Sequence, residues 1–248
     1  MPNFLQHPQE MIDLGQSLSK RIDIAITNRC NARCPQCDRT DPNGLGAVDW
    51  LPIISWPVEK FIKYFPKETL DDIEEYGFTS TWGDSMMAKD IEKICHYIID
   101  NSKANVLITT NGSLRNEEFY WNLGVYCGER LTIIFDIDGT TEEMHQKYRR
   151  GTSLKKSLDH MYMFSQTQGK ALSQTILFKH NQEYKKDILD LVKKYGSANH
   201  EFYPSDRFEN SVPNSNPTHI FNHNKSNRFY FINEKGEEEY LEAADDKV

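Results

Sequence analysis

The sequence lacks the long apolar segments of a membrane protein and the leader of a secreted one. No apolar run in its 248 residues approaches the ~20 residues that cross a bilayer. The stretch Met1–Lys20 is polar and contains Pro2 and Pro8, which is unlike a signal peptide. Cysteine is scarce, with five residues, an odd number. Because secretory features are missing, we expect these thiols to stay reduced in a cytoplasmic protein.

Acidic residues outnumber basic residues, and this balance bears on whether the protein binds nucleic acid. The chain has 29 Lys and Arg against 37 Asp and Glu, a formal net charge of -8. Binding along a nucleic-acid backbone needs a basic face, so we expect no bulk nucleic-acid binding, although a nucleotide-sized substrate stays open. The acidic tail from Glu237 to Asp246 is expected to be a solvated surface.

Three of the five cysteines lie within eight residues, spaced C-x3-C-x2-C at Cys30, Cys34 and Cys37. A tetrahedral zinc site closed by protein needs four ligands, and this loop offers three. Three thiolates on a cubane iron–sulfur cluster leave one iron open to an outside ligand. From the loop alone, a zinc knuckle completed by His96 or Cys127, or three incidental thiols, stays an alternative.

Short apolar runs alternate with amphipathic segments from Ile22 to Tyr203. Strands are predicted at 22–27, 76–81, 105–110, 131–137, 172–178 and 198–203. Helices are predicted at 57–65, 87–101, 115–125, 153–168 and 182–195. This alternation predicts a parallel sheet with right-handed crossovers. Six strand–helix units are fewer than the eight of a closed barrel, so we expect an α/β fold that is an open, partial (β/α)6 TIM-like barrel.

Three regions are expected along the chain: an N-terminal extension over 1–21, the barrel over 22–203, and a C-terminal region over 204–248. The last begins with a long loop rich in Asn, Ser and Pro. Beyond it, Arg228–Ile232 and Glu238–Leu241 flank a polar turn, a pattern typical of a β-hairpin. The hairpin is expected to cap the open sheet edge; the alternative is a lid or docking element over the barrel mouth.

The chemically suggestive segments all follow predicted strands. In a parallel barrel, the loops at the carboxyl ends of the strands converge on the reactive face. In chain order the segments are Cys30–Cys37, Trp82–Asp84, Asn111–Gly112, Asp136–Gly139, Lys179–Asn181 and Pro204–Arg207. We therefore expect them to meet at one end of the barrel.

The cysteine loop and these ordered motifs resemble the radical S-adenosylmethionine (SAM) superfamily over roughly Ile22 to Tyr203. The resemblance implies two cofactors, SAM and a [4Fe-4S] cluster held by Cys30, Cys34 and Cys37. Tyr76–Asp84 resembles the family's second-strand motif, whose backbone and acidic side chain bind the amino group of SAM. That implies Gly83 and Asp84 as binding residues, because a carboxylate is a charge-assisted acceptor for an ammonium. Asn111 belongs to an element that resembles the third-strand ending.

Other motifs match with departures. Asp136 stands where the family's fourth-strand element commonly has a serine that contacts SAM. A carboxylate cannot donate to a carboxylate, so Asp136 is expected to face the ribose hydroxyls or the substrate. The segment His145–Thr152 matches one whose arginine pairs with the SAM carboxylate. Spacing from His145 favours Arg149, and the adjacent glycine favours Arg150.

The adenine and substrate contacts are less defined. Gln36 stands where many family members have an aromatic residue near adenine, and Phe178 is a candidate apolar wall for that ring. Candidate substrate contacts near the barrel mouth are Trp56, Trp82, Lys179, His180, Tyr203, Asp206 and Arg207.

The resemblance implies one-electron cleavage of SAM to methionine and a 5′-deoxyadenosyl radical that abstracts hydrogen from a substrate. The electron would come from a donor such as flavodoxin or ferredoxin. No cysteine follows Cys127, so no auxiliary cluster is expected. A compact barrel without one favours a small-molecule or nucleoside substrate, whereas the motif style and the hairpin favour a peptide or protein. A zinc- or cluster-binding interaction protein is the non-enzymatic alternative.

Overall fold

In the computed structural model, the residues described below are 20–35, 37–41, 46–205, 228–232, 237–242 and 244–245. Most of the predicted N-terminal extension, Gln36, and the substrate candidates Asp206 and Arg207 lie outside these residues.

Six parallel strands form one sheet in sequential order. They are β1 (Arg21–Asp23), β2 (Glu75–Phe78), β3 (Asn105–Thr110), β4 (Leu131–Asp136), β5 (Lys170–Leu177) and β6 (His200–Pro204). Each strand pairs in parallel with the next, so β1 and β6 form the two edges of the sheet. The predicted open, partial barrel is confirmed.

Six α-helices accompany the strands in the part of the chain that the structure describes. They are α1 (Val58–Tyr64), α2 (Ile91–Asn101), α3 (Glu117–Cys127), α4 (Glu142–Tyr148), α5 (Leu154–Ser165) and α6 (Lys185–Lys194). Three of them begin at a side-chain cap, in which the cap oxygen accepts a backbone N–H. The caps are Asn116, Thr141 and Ser153, and they accept from Phe119, Met144 and Lys156.

The main core lies between the sheet and these helices. On α2, the apolar stripe that includes Ile91, Ile94 and Ile98 is fully buried, as its helical spacing predicts. Cys95 on the same helix and Cys127 at the end of α3 belong to this core. Both therefore lie among apolar packing residues, apart from the cysteine loop.

Helix α4 was not predicted from the sequence. It has seven residues and buries only His145 and Tyr148, so it lacks the long apolar stripe that marks a helix in a sequence. Its position matters because the chain leaves it at Arg149.

The predicted hairpin is confirmed, with β7 (Arg228–Ile232) antiparallel to β8 (Glu238–Glu242). It forms a two-stranded sheet of its own. Among the described residues it therefore does not extend an edge of the barrel sheet, contrary to the expected edge cap. The backbone N–H of Lys179, just beyond β5, donates to the carbonyl of Glu242 at 3.0 Å. This contact holds β8 beside the carboxyl end of the barrel.

Candidate active site

A cavity of about 210 Å³ opens at the carboxyl ends of the barrel strands. It is lined by segments that follow β1, β2 and β3, by the ends of β4 and β5, and by the residues that end α4. Eight of the ten residues predicted to bind the cluster or SAM line it: Cys30, Cys34, Cys37, Gly83, Asp84, Asn111, Asp136 and Arg149. The sequence motifs thus converge on one place, as the strand order requires.

The cysteine loop is tied to the rest of the barrel by polar contacts. The backbone N–H of Arg33 donates to the carbonyl of Arg150 at 2.8 Å. The Asn31 side chain accepts from Nδ2 of Asn111 at 2.8 Å and donates to Oγ of Ser113 at 3.0 Å. The loop is therefore fixed against the end of β3 and the segment after α4.

The three cysteines share a small apolar cluster that is separate from the main core. Its buried members are Ala32, Cys34, Tyr148, Phe178 and Leu241, and Cys30, Cys37 and Ile176 pack against them. Burial raises the pKa of Cys30, and it raises the pKa of Cys34 to about 12. Without a metal, these two thiols are therefore neutral at ordinary pH.

The spacing of the thiols bears on the kind of metal centre. In the part of the chain that the structure describes, no three His, Cys, Asp or Glu side chains converge as ligands of one metal ion would. Thiolates around a single zinc, at Zn–S distances of ~2.3 Å, would lie roughly 3.8 Å apart. In a cubane cluster each thiolate binds a different iron, so three thiols that line one cavity without converging on a single metal ion are compatible with a cluster.

Gly83 is required by a close approach of two segments. A Cβ at this position would overlap the carbonyl oxygen of Thr27 and lie 2.8 Å from the Cα of Asn28. The next residue, Asp84, donates its backbone N–H to the carbonyl of Arg29 at 2.8 Å. Glycine thus lets the segment after β2 lie directly against the start of the cysteine loop.

The Asp84 carboxylate is buried and accepts several hydrogen bonds from the protein. Its donors are the backbone N–H of Met86 at 3.0 Å, Oγ1 of Thr110 at 2.9 Å, and the backbone and side-chain N–H of Asn111 at 2.8 and 2.6 Å. Burial raises its pKa, although the donated hydrogen bonds oppose that change. Because its acceptor sites are engaged, what Asp84 offers a cationic ligand is negative charge.

Arg149 lies between two buried carboxylates. Its Nε is 2.6 Å from Oδ2 of Asp138, and its Nη1 is 3.1 Å from Oδ2 of Asp136. Gln174 donates to the other oxygen of Asp136 at 2.7 Å. Burial raises the pKa of Asp136 to about 6, with Arg149 opposing and Asp138 adding to that shift. The cavity wall therefore carries one cation shared by two carboxylates.

His145 stabilises the backbone around Asp138 and Arg149 through hydrogen bonds. It is fully buried, and its Nδ1 accepts the backbone N–H of Asp138 at 3.2 Å. Its Nε2 lies 3.0 Å from Oγ1 of Thr152, which donates to the carbonyl of Arg149. Burial lowers the pKa of His145 to about 4, so the ring is neutral and can accept.

Arg150 and Phe178 are not among the residues that line the cavity. Arg150 meets the cysteine loop through its backbone carbonyl. Phe178 is fully buried and packs on Tyr148, with ring centroids 4.7 Å apart. At this wall of the cavity, Tyr148 and Ile176 are the apolar side chains that line it.

Of the described substrate candidates, Trp82 lines the cavity and the other four do not. Trp56 packs against the main core, and Lys179 pairs with Glu242 at 3.2 Å. His180 stacks on Phe178, and Tyr203 is largely exposed.

Several cavity residues were missed by the sequence analysis. Arg39 is buried and donates to the carbonyl of Asn28 at 2.9 Å. Gln174, Tyr148 and Ile176 also line the cavity. Tyr148 lies inside the segment that was recognised for its arginines, and the alternation of β5 places Gln174 and Ile176 on one face. Arg39 had no signal in the sequence.

Comparison with known proteins identifies the family. A family model described as the Radical SAM superfamily matches residues 24–194, more than half of the chain. The chain belongs to the radical SAM superfamily. A GTP 3',8-cyclase of Clostridium botulinum is 24% identical over 188 residues, which are 75% of this chain and 56% of that protein. The chain thus spans little more than half the length of the curated relative it matches.

Solved structures of two proteins with bound S-adenosylmethionine share the fold. SuiB of Streptococcus suis bound to S-adenosylmethionine has a TM-score of 0.62 at 12% identity, covering 78% of this chain and 43% of SuiB. The protein anSMEcpe with bound AdoMet has a TM-score of 0.57 at 15% identity, covering 74% of this chain and 51% of that chain. Within the described ranges, no helix is long and apolar enough to cross a membrane.

Proposed function

We propose that this chain is a radical SAM enzyme that holds one [4Fe-4S] cluster on Cys30, Cys34 and Cys37 and binds SAM in the adjoining cavity. One observation carries the proposal. The three thiols share a single cavity with Asp84, Asn111 and Arg149, at the end of a parallel sheet where loops from successive strands meet.

The cluster, when bound, supplies the electron that cleaves SAM to methionine and a 5′-deoxyadenosyl radical, which takes hydrogen from a substrate. The chain's own part is to bind, orient and exclude water. Asp84 would offer a buried negative charge to the SAM ammonium, and Gly83 brings its segment close to the cysteine loop. Arg149 presents a guanidinium to the SAM carboxylate.

For the remaining predicted contacts, placement supports some residues more than others. Asp136 lies on the cavity wall, where it would face the ribose or the substrate. Asn111 joins the cysteine loop to Asp84 and so positions both. Arg150 contributes its carbonyl to the loop, which favours Arg149 over Arg150 as the carboxylate partner. Ile176 and Tyr148 replace Phe178 as candidates for the apolar surface beside the adenine.

We further propose a small-molecule or nucleoside substrate, with flavodoxin or ferredoxin as the electron donor. The similarity to GTP 3',8-cyclase favours a nucleotide among small molecules. A peptide or protein substrate is the second candidate, because SuiB has been solved with its precursor peptide SuiA at a TM-score of 0.60 to this chain.

Anaerobic reconstitution tests the proposal. The full chain is expected to take up about four irons and the matching sulfide, and, with a chemical reductant, to convert SAM to 5′-deoxyadenosine. Uptake of one zinc without SAM cleavage would instead support a binding protein. The reconstituted protein is then incubated with deuterated candidate substrates, nucleosides in one set and peptides in another. Deuterium is expected in 5′-deoxyadenosine only when the candidate belongs to the right substrate class.

A further inference from the structure

The C-terminal strand β8 reaches the cysteine loop. Leu241 is 2% exposed and belongs to the same buried cluster as Ala32 and Cys34. The other buried members are Tyr148, from α4, and Phe178, from the end of β5. An isolated hairpin would leave a leucine in water, so its burial here shows that the hairpin is packed against the cysteine site.

Two polar contacts fasten this strand to the barrel. Beyond β5, Lys179 binds Glu242 through the backbone at 3.0 Å and through an ion pair at 3.2 Å. Gln182 and Asp245 bind each other reciprocally: the Gln182 side-chain N–H donates to the Asp245 carboxylate, and the Asp245 backbone N–H donates to the Gln182 carbonyl oxygen, both at 2.7 Å. Both contacts are made by residues that follow Leu241 in sequence, and they hold the end of β8 against the barrel.

The location of the cluster gives this packing a chemical consequence. Most members of the Leu241 cluster, the three cysteines among them, line the cavity, whereas Phe178 and Leu241 belong to the cluster and do not line it. Solvent can reach the cysteines through the cavity, and Phe178 and Leu241 pack behind the residues that line it. Solvent exposure is one of the properties that set the reduction potential of an iron–sulfur cluster.

We propose that Leu241 is a positioning residue of the iron–sulfur site. Its side chain shields the cysteine loop from solvent on the side away from the cavity. The inference rests on the proposed function for the identity of the metal centre. The C-terminal hairpin would thus protect the site although it supplies no cysteine.

The test compares Leu241→Ala with Leu241→Met, which refills the space, and with Leu123→Ala, which removes an equally buried leucine from the main core. Two rates are measured on the full chain. One is iron removal by a chelator from the anaerobically reconstituted protein. The other is alkylation of Cys34 in the metal-free protein, followed by mass spectrometry.

Leu241→Ala is expected to raise both rates several-fold, while Leu241→Met and Leu123→Ala stay near wild type. Equal rates in Leu241→Ala and wild type would overturn the inference. So would an equal rise in Leu123→Ala, because general destabilisation would then explain it. If the wild type takes up no cluster, the proposed function fails separately, and the alkylation rates still decide whether Leu241 shields Cys34.

Discussion

The Nε atom of Arg149 lies 2.6 Å from Oδ2 of Asp138, a carboxylate whose side chain is fully buried. The same guanidinium reaches Asp136 at 3.1 Å. A buried carboxylate without a partner is costly, so this cation stabilises the cavity wall even before any ligand binds. Arg149 therefore has a structural task in addition to its proposed part in SAM binding.

Arg149→Ala is accordingly expected to lower the free energy of unfolding by about 3–5 kcal/mol, because it leaves two buried carboxylates unpaired. Arg150→Ala keeps the carbonyl that accepts from Arg33 and is expected to cost much less. Urea unfolding of both variants measures the difference. Similar losses in the two variants would contradict the assignment of Arg149 to the cavity.

Asp84→Ala is expected to weaken SAM binding by about 1.5–3 kcal/mol, since it removes a buried charge and releases Thr110 and Asn111 from their positions. Anaerobic calorimetry with the reconstituted protein measures this affinity. Asp190→Ala, which removes an exposed carboxylate on α6, serves as the control. An unchanged SAM affinity in Asp84→Ala would mean that the second-strand motif has been misassigned.

The cysteine variants separate ligands from packing residues. Replacing Cys30, Cys34 or Cys37 with Ala is expected to abolish the brown chromophore and 5′-deoxyadenosine formation. Cys95→Ala and Cys127→Ala should keep both, because those side chains lie in the main core. Iron analysis and product chromatography provide the readout. Full SAM cleavage in any of the three loop variants would refute the ligand set.

The pH dependence of stability should carry the signature of Asp136. Its pKa rises from 3.8 to about 6 on folding, chiefly through burial. The folded state thus binds this proton more tightly than the unfolded state, and the contribution is greatest below pH 3.8 and is lost as the pH rises through 6. A shift of one pKa unit corresponds to ~1.4 kcal/mol. Over that pH range, the free energy of unfolding of the wild type should therefore fall by at most about 3 kcal/mol relative to that of Asp136→Asn. Urea unfolding at several pH values tests the sign; parallel curves would contradict it.

Gly83→Ala tests the approach of the second-strand segment to the cysteine loop. The added methyl group would overlap the Thr27 carbonyl, which is backbone and cannot rotate away. We expect a lower melting temperature and impaired cluster uptake. Gly46→Ala is not a matched control, because Gly46 has a positive φ of 132°. Gly77→Ala in β2 is the better comparison, because the added methyl group there would meet only the exposed side chains of Asp23 and Arg21, which can move.

Much of the fold could be predicted because its signals are local. The apolar run of β3 and the apolar stripe of α2 each predict which residues are buried. The alternation of strands and helices predicts the parallel topology. Helix α4 was not predicted because it buries only two residues and so lacks a clear apolar stripe. The docking of β8 escaped because the partners of Leu241 lie far away in sequence, and no local pattern records such a contact.

The site shows the same division. The loops that carry Cys30, Asp84 and Arg149 were expected to meet, because the carboxyl ends of parallel strands share one edge. What the sequence could not give is how the charges pair once they are buried. The partnership of Arg149 with both Asp136 and Asp138 depends on side-chain directions that only the folded backbone fixes.

The ties between the cysteine loop and the barrel have one more consequence. Asn31 is held by Asn111, and Arg33 is held by the carbonyl of Arg150. These hydrogen bonds offset part of the conformational entropy that ordering the loop costs. The shape of the loop thus depends on the segment after β3 and on the segment after α4, and a substitution in either segment would disturb the cysteines without touching them.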